Sequence, residues 1–499
     1  MTASVSLLHP QTGVELPPAY SDELTAQEQA LITGLAAKLT TQATFMEISG
    51  AYYDGMQRLQ NLGISIPQTL ASIRTVVDWP RICVDPLVQR CVVDGFRLPN
   101  ATDVDEDLAA FWQANDLDYE APLGFLDSLM YGRSYMIVGS RDNDTVPLIT
   151  VESPLNMSVK WDPRTRRVVC AYQSYQVEGD FQAALYLPDQ TIQMSKDNTT
   201  GTWSVDDRDQ HGMGEVPVVR FPNRARTADR EGRSEITPAV RNTTDSACRS
   251  LLGMEIAREF YSIPHRYVLG VQEGDFVNPD GTVKTAIEMT MSKFLAFERD
   301  EDGNLPTVGQ FQAFDPSVFT KIIDTHAQLM ASYTQFPPQW FGETSTANPA
   351  SADAIRVSHD GVDRRAQQVQ RQFSDPLEQV MRLAWRFANN ADQVPEEMQR
   401  LETDWVRPGI RLEAADTDAA TKQVAAGMVP PTSDVVLRRV GYGAVERQQL
   451  EADRRLDQGQ QVLAELAHSL EAKDARTDLA VTRDIQGGTG DQPQQPPRQ

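Results

Sequence analysis

The stretch FPPQWFGETSTANPASADAIR, Phe336–Arg356, decides how the middle of this chain is organised. It joins two segments in which apolar residues recur every three or four positions, a spacing that predicts amphipathic helices. The stretch itself has two consecutive prolines, then two bulky aromatic residues, then a run of small polar residues, so it interrupts the helical pattern. The sequence therefore predicts a helix over 315–334, a non-helical insert over 335–350, and a long helix capped by Ser351.

A segment of strands and turns lies upstream, between two predicted helices. Thr237 and Pro238 supply an N-cap and a first-turn proline, and they open a helix that extends to 262. Residues 265–314 then alternate short apolar runs with hairpin-type turns. Because a helix precedes and follows it, this strand-rich segment must project from the far end of a helix pair.

Sheets and helices are both predicted in the N-terminal half. From Ser134 to Phe221 short β-like runs are separated by turn dipeptides, which indicates antiparallel strands. Residues 21–62 instead have helical spacing, and we interpret Ser21 as their N-cap. Antiparallel strands within a helical frame predict an α+β fold.

The C-terminal part is predicted to be helical. The long helix from 351 carries Pro376 in its middle, which should kink it near Asp375 because proline removes a backbone hydrogen bond. Beyond Asp484 the chain is rich in Gly, Gln and Pro, and is expected to be disordered. Three shorter helices are predicted near 416–426, 433–440 and 444–470.

The charge of the chain is strongly acidic. Its net charge is −24, and residues 100–210 contain 19 Asp and Glu against 8 Lys and Arg. This balance argues against tight, sequence-independent DNA binding, which requires clustered cations. One stretch is locally basic, with five arginines in 220–233: Arg220, Arg224, Arg226, Arg230 and Arg233.

Motifs of the common enzyme classes are absent from the sequence. It has no Gly-Lys dipeptide and hence no P-loop, no G-x-S-x-G elbow and no H-E-x-x-H zinc motif. The acidic residues of 103–107 are more typical of a solvated helix start than of a cation site. No apolar run approaches the ~20 residues that span a bilayer. We therefore predict no catalytic residue, no cofactor, no metal and no membrane partner.

Several segments together resemble a known family. They are YYDGMQRLQNLGI (52–64), VDWPRICVDPLVQRCVVDGF (77–96), YGRSYMIVG (131–139), VESPLNMSVKWDPRTRRVVCAYQ (151–173), VPVVRFPNRARTADREGRSEITPAVRNTTDSACRSL (216–251) and the opening stretch. The chain resembles the tailed-bacteriophage portal proteins, or head-to-tail connectors, of the SPP1-like family of actinobacteriophages. The resemblance covers most of 45–390 and is weaker over the last hundred residues.

The resemblance implies a portal fold with named parts. It maps them as wing over 1–232, stem helix 233–262, clip 263–314, second stem helix 315–334, tunnel loop 335–350, long kinked helix and return to the wing 351–410, helical crown 411–470 and a largely disordered tail 471–499. The function it implies is a ring of about twelve subunits at one capsid vertex of the virion. Double-stranded DNA would pass through the channel without sequence specificity, for packaging and ejection.

The resemblance also implies partners and locations. The partners are the major capsid protein and possibly scaffold, the terminase large subunit, and the head–tail adaptor. Assembly would take place in the cytoplasm of the bacterial host. Two alternatives remain open: another structural connector or minor capsid protein, and, as the weaker one, a DNA-processing enzyme such as a metal-dependent nuclease.

Within the tunnel loop, the sequence leaves two roles open for the side chains. Polar residues with one acid and no base can touch DNA phosphates weakly and release them quickly, whereas Trp340 and Phe341 are predicted to anchor the loop to neighbouring subunits. The candidates for facing DNA are Gln339, Glu343, Thr344, Ser345, Thr346 and Asn348. The five arginines of 220–233 are predicted to form ion pairs between subunits, or else to contact phosphates.

Overall fold

The computed structural model describes residues 19–59, 74–99, 104–141, 146–177, 179–261, 266–269, 307–310, 315–342, 352–409, 413–443, 446–447 and 449–466. The chain divides into two compact units. The first unit contains the described residues up to 99 and from 105 to 409, and the second consists mainly of the described residues after 410.

The N-terminal helix α1, Ala26–Tyr53, begins at a capping box. The Thr25 hydroxyl accepts from the backbone N–H of Glu28, and the Glu28 carboxylate accepts from the N–H of Thr25 at 2.8 Å. The predicted start at Ser21 was therefore wrong, because the T-x-x-E pattern at Thr25 satisfies the free amides of the first turn. The next helices are α2 (Trp79–Ile82), α3 (Asp85–Val88), α4 (Glu106–Ala114) and α5 (Leu117–Tyr131).

Three sheets follow or flank these helices. A six-stranded sheet has the order β1-β9-β8-β7-β6-β5 and is antiparallel except for the parallel β1–β9 pair. Its strands are β1 (Ala19–Tyr20), β5 (Met157–Asp162), β6 (Arg167–Val177), β7 (Asp180–Tyr186), β8 (Thr191–Lys196) and β9 (Thr202–Asp209). A three-stranded sheet joins β10 (Val218–Pro222), β3 (Arg133–Gly139) and β4 (Leu148–Glu152). A two-stranded sheet joins β2 (Val93–Arg97) and β13 (Glu402–Trp405). The predicted α+β class is confirmed.

A helix pair with a strand ribbon follows β10. Helices α6 (Pro238–Tyr261) and α7 (Ser317–Thr334) pack together, and Phe319 lies against Gly253. Strands β11 (Arg266–Leu269) and β12 (Thr307–Gln310) pair antiparallel between them. The order helix, strands, helix is as predicted, and most of 263–314 lies outside the described residues. On α7, which was predicted to be amphipathic, Ala327 and Met330 are buried, whereas Ile322 and Tyr333 are exposed.

The long helix α8, Ala352–Asn389, lies at the centre of the main core. Seven of its residues at helical spacing are fully buried: Val362, Ala366, Val369, Phe373, Leu377, Val380 and Ala384. Phe373 stacks on Phe125 of α5 with ring centroids 5.0 Å apart. The helix is continuous through Pro376, and a kink near Asp375 stays a prediction. The predicted cap Ser351 lies outside the described residues.

The second unit is helical. It contains α9 (Glu413–Ala425), which packs on α10 (Asp434–Val440), and a further helix over 449–466. These three positions agree with the predicted helices near 416–426, 433–440 and 444–470 to within a few residues. Assigning this unit to a crown stays a prediction.

Candidate channel-loop base and arginine network

The first half of the predicted loop is a folded base rather than an irregular segment. Helix α7 ends at Gln335, which adopts a left-handed conformation with φ of 61°. Pro338–Phe341 then form one turn of 3-10 helix, so the prediction that the whole insert is non-helical was wrong for these four residues. Two consecutive prolines fix φ near the value such a turn requires.

Phe341 holds the base inside its own chain. Its side chain is 3% exposed and meets the Trp79 ring edge-to-face, with centroids 6.0 Å apart. The Trp79 indole N–H donates to the carbonyl oxygen of Phe341 at 3.2 Å. The Phe341 side chain therefore anchors the loop base to α2 of its own chain, and its predicted contact with a neighbouring subunit stays a prediction.

Trp340 contacts two further aromatic rings. Its ring lies 5.6 Å from that of Phe336 and 5.1 Å from that of His359 on α8, both edge-to-face. The Arg90 guanidinium lies 5.9 Å from the Trp340 ring centroid and donates to Asp363 at 2.9 Å. Burial lowers the pKa of His359, the Arg90 charge lowers it further, and Asp363 opposes both effects. The lowered pKa keeps the imidazole of His359 neutral at neutral pH.

Gly361 lets α8 approach the end of α7. A Cβ atom at this position would lie 2.4 Å from the carbonyl oxygen of Gln335. The two atoms would clash at this distance unless the backbone moved. The absence of a side chain at Gly361 thus sets how closely the loop base sits on α8.

Only the start of the polar part of the loop lies within the described residues. Gln339 is half-buried within the 3-10 turn, and Gly342 is exposed with φ of 92°. The other candidates for facing DNA lie outside the described residues: Glu343, Thr344, Ser345, Thr346 and Asn348. Their predicted contacts with DNA stay predictions.

The arginine stretch is organised around one buried carboxylate. Glu235, 6% exposed, accepts two hydrogen bonds from Arg224, at 2.8 and 2.6 Å. It also pairs with Arg365 of α8, and it accepts from the Asn223 side chain at 2.8 Å. Burial alone would raise the pKa of Glu235, but hydrogen bonds and charge from the two arginines outweigh it and lower that pKa.

A second carboxylate, Glu231, ties the stretch to the N-terminal part of the chain. It pairs with Arg133 of β3 and accepts from Lys38 of α1 at 2.8 Å. Burial opposes ionisation here too, and the cations overcome it, so the pKa of Glu231 is lowered. The two glutamates therefore connect α1, β3 and α8 through the segment that contains the arginines.

The remaining arginines divide into two groups. The guanidinium carbon of Arg220 lies 3.8 Å from the centroid of the Trp161 ring. The guanidinium of Arg233 forms an ion pair with the carboxylate of Asp229 at 3.0 Å. Arg226 and Arg230 are exposed and have no side-chain partner among the described residues. Arg224 and Arg233 thus pair within the chain, and the predicted inter-subunit pairing of the stretch stays a prediction. Sequence reasoning missed Glu235 and Arg365, since the two are distant in sequence and no local motif joins them.

Neither metal binding nor membrane spanning has support in the part of the chain that the structure describes. No group of three or more His, Cys, Asp or Glu side chains within it could hold a metal ion. None of its helices is long and apolar enough to cross a bilayer.

Comparison with known proteins decides the family. The family model described as "Phage portal protein, SPP1 Gp6-like" matches residues 38–435. The chain belongs to this family of phage portal proteins. The portal protein of Mycobacterium phage D29 is 37% identical over 411 residues, covering 80% of this chain and 83% of the relative. The portal protein of Mycobacterium phage L5 is 36% identical over 410 residues, with the same coverage.

Two solved structures also align with this portal protein. A chain of "Virion of native gene transfer agent (GTA) particle" aligns with a TM-score of 0.42 and 15% identity, covering 80% of this chain and 98% of its own. A chain of "Neck of native GTA particle computed with C12 symmetry" aligns with a TM-score of 0.40 and 13% identity, covering 72% and 88%. Family membership makes the chain a structural component of a phage particle with an α+β portal fold, and not an enzyme.

Proposed function

We propose that this portal protein forms a ring of about twelve subunits at one capsid vertex, with double-stranded DNA passing through its central channel. The observation that carries the proposal is the order of elements within the family match: a helix pair joined by an antiparallel ribbon, then an anchored loop base, then a long core helix. This order suits a subunit that points a loop at an axis while its body packs against its neighbours.

The parts of the portal follow from that order. The wing comprises 1–232 with the return of the chain up to 410, the stem 233–262 and 315–334, the clip 263–314, the tunnel loop 335–350 and the crown 411–470. The tail is 471–499. In this assignment the loop base of Phe336, Trp340 and Phe341 supports a polar segment that lines the channel.

The composition of the loop suits a channel that DNA must traverse. Firm contacts between cations and phosphates would make DNA movement slow and strongly dependent on salt. The loop has a single acid, Glu343, and no base, and its amides and hydroxyls exchange hydrogen bonds quickly. Most arginines of 220–233 are engaged within the chain, which leaves Arg226 and Arg230 for phosphates or for a neighbouring subunit.

The proposed partners follow from the position of a portal. The clip meets the terminase large subunit during packaging and the head–tail adaptor afterwards, and the wing meets the major capsid protein and scaffold. Assembly takes place in the cytoplasm of the bacterial host. A different structural connector is the alternative function within the phage particle.

Negative-stain images and mass photometry of the purified protein test the proposal. We expect rings of about twelve subunits with a central hole. A monomer under every condition, including the presence of scaffold and capsid protein, would overturn it.

A further inference from the structure

A basic cleft that the proposed function does not use lies along the C-terminal half of α8. The turn between β5 and β6 forms one wall, and the residues after α8 form another. Its volume is about 630 Å³. Four arginines line it (Arg166, Arg167, Arg382 and Arg386) against two acids, Glu215 and Asp392. The cleft is therefore positive in a chain whose net charge is −24.

One carboxylate in the cleft neutralises two of its arginines. Glu215 pairs with Arg167 and lies 3.6 Å from the guanidinium of Arg386. Arg386 is 8% exposed and also donates to the carbonyl oxygens of Met213, at 2.6 Å, and Ala391, at 3.2 Å. Arg386 is therefore fixed by protein partners, whereas Arg167 has one ion pair and 57% of its side chain is exposed.

The other two arginines lack comparable partners. Among the described residues, the guanidinium groups of Arg166 and Arg382 donate no hydrogen bond to another side chain or carbonyl. Arg382 is half-buried, and its nearest carboxylate, Glu378, lies 3.9 Å away. Burial raises the pKa of Glu378 to about 7, so this carboxyl carries only part of a charge at neutral pH. Both guanidinium groups are open to solvent, Arg166 as an exposed side chain and Arg382 with 26% of its side chain exposed, so a ligand that enters the cleft can reach their N–H donors.

We propose that this cleft binds carboxylate side chains of an acidic segment from a second copy of the chain. A planar guanidinium matches a carboxylate with two parallel hydrogen bonds. The chain has 70 Asp and Glu against 46 Lys and Arg, so a neighbouring copy offers carboxylates over much of its surface. The site rests on the proposed ring, in which each subunit meets two others.

The size of the cleft favours a peptide over duplex DNA. Its volume lies within the ~300–1,000 Å³ typical of sites that enclose a small ligand or a few side chains. Duplex DNA is a stiff rod with a persistence length of about 50 nm, and it cannot fold into a recess of this size. Gln393 at the cleft wall is exposed, and its amide is of the kind that hydrogen-bonds a peptide backbone, whereas the Gln379 amide already donates to Glu215 at 2.8 Å.

The experiment places a photo-crosslinking residue, p-benzoylphenylalanine, at the exposed position Gln393 of the full chain. Rings are assembled from equal parts of ¹⁴N and ¹⁵N chains and irradiated. We expect mixed-isotope crosslinks to a peptide that contains Asp or Glu, which identifies the second copy. Crosslinks only within one chain, from rings that have formed, would overturn the inference and leave the proposed function standing.

A pair of double variants tests the charge itself. Arg166→Gln with Arg382→Gln should abolish the mixed-isotope crosslink and raise the concentration for half-assembly about tenfold at low salt. The control, Arg164→Gln with Arg371→Gln, removes the same charge from exposed positions that do not line the cleft, and should change neither.

Two other results would each be decisive. If the cleft variant assembles normally but its rings retain less duplex DNA than the control, the ligand is DNA phosphate and the inference is wrong. If the wild-type chain forms no rings under any condition, the proposed function is wrong, and the site proposed here, which depends on the ring, is wrong as well.

Discussion

Glu235 is the side chain on which the arginine network depends. Glu235→Gln should lower the free energy of unfolding by about 3–5 kcal/mol, because Arg224 and the largely buried Arg365 would lose their shared counter-ion. Asp229→Asn is the control: it removes the acid from the exposed pair with Arg233, and should cost less than about 1 kcal/mol. Urea unfolding followed by circular dichroism measures both. Equal losses would show that the buried network is no more stabilising than a surface pair.

At this scale the sequence showed which residues were unusual but not what they contact. Five arginines within 220–233 stand out in an acidic chain, and their number alone suggested an external partner. The partner of Glu235 on α8, Arg365, is 130 positions away, and only the packing of α8 against β10 brings the two together. The capping box at Thr25 was predictable, since its two residues, Thr25 and Glu28, lie three positions apart in the sequence.

The contact between α7 and α8 can be tested at one glycine. Gly361→Ala should lower the melting temperature even though alanine favours a helix by roughly 1 kcal/mol over glycine, because the new Cβ would meet the Gln335 carbonyl oxygen. Gly34→Ala is the matched control: Gly34 is exposed on α1 with no atom within 4 Å of the new Cβ, and should raise it. Differential scanning calorimetry reports both shifts. Stabilisation by both changes would mean that α7 and α8 are not in close contact there.

Elements with a sustained pattern were the ones that the sequence could place. In α8 apolar residues recur every three or four positions along a helix of 38 residues, and seven of them are buried. The strand pair β2–β13 was not predictable, since each strand has five residues or fewer and its partner lies some three hundred positions away. The 3-10 turn at Pro338–Phe341 was likewise not predictable, because two prolines indicate that an α-helix is interrupted but do not indicate which structure follows.

For the whole molecule, the base of the loop, Phe336–Phe341, is held by contacts within its own chain. The base is fixed by Trp79, Arg90 and His359 of the same chain, so its position does not depend on a neighbouring subunit. In the proposed ring, each subunit would therefore bring its own preformed support for the proposed channel loop. The sequence predicted where this loop begins and its polar character, whereas its anchoring partners come from α2, from Arg90 after α3, and from α8, which only the fold brings together.

Deleting residues 342–348 tests whether this segment lines the channel or supports the structure of the subunit. Rings should still form, because the buried contacts of Phe336 and Phe341 precede the deletion, whereas packaging or retention of DNA should fall because the channel loses its polar lining. Phe341→Ala is the contrasting variant: it removes a buried ring, should cost about 3–5 kcal/mol, and should reduce stability and assembly together. Mass photometry counts the rings, and nuclease-protected DNA in purified particles measures packaging. If the deletion prevented ring formation as strongly as Phe341→Ala does, the segment would be part of the subunit's structural support rather than a channel lining.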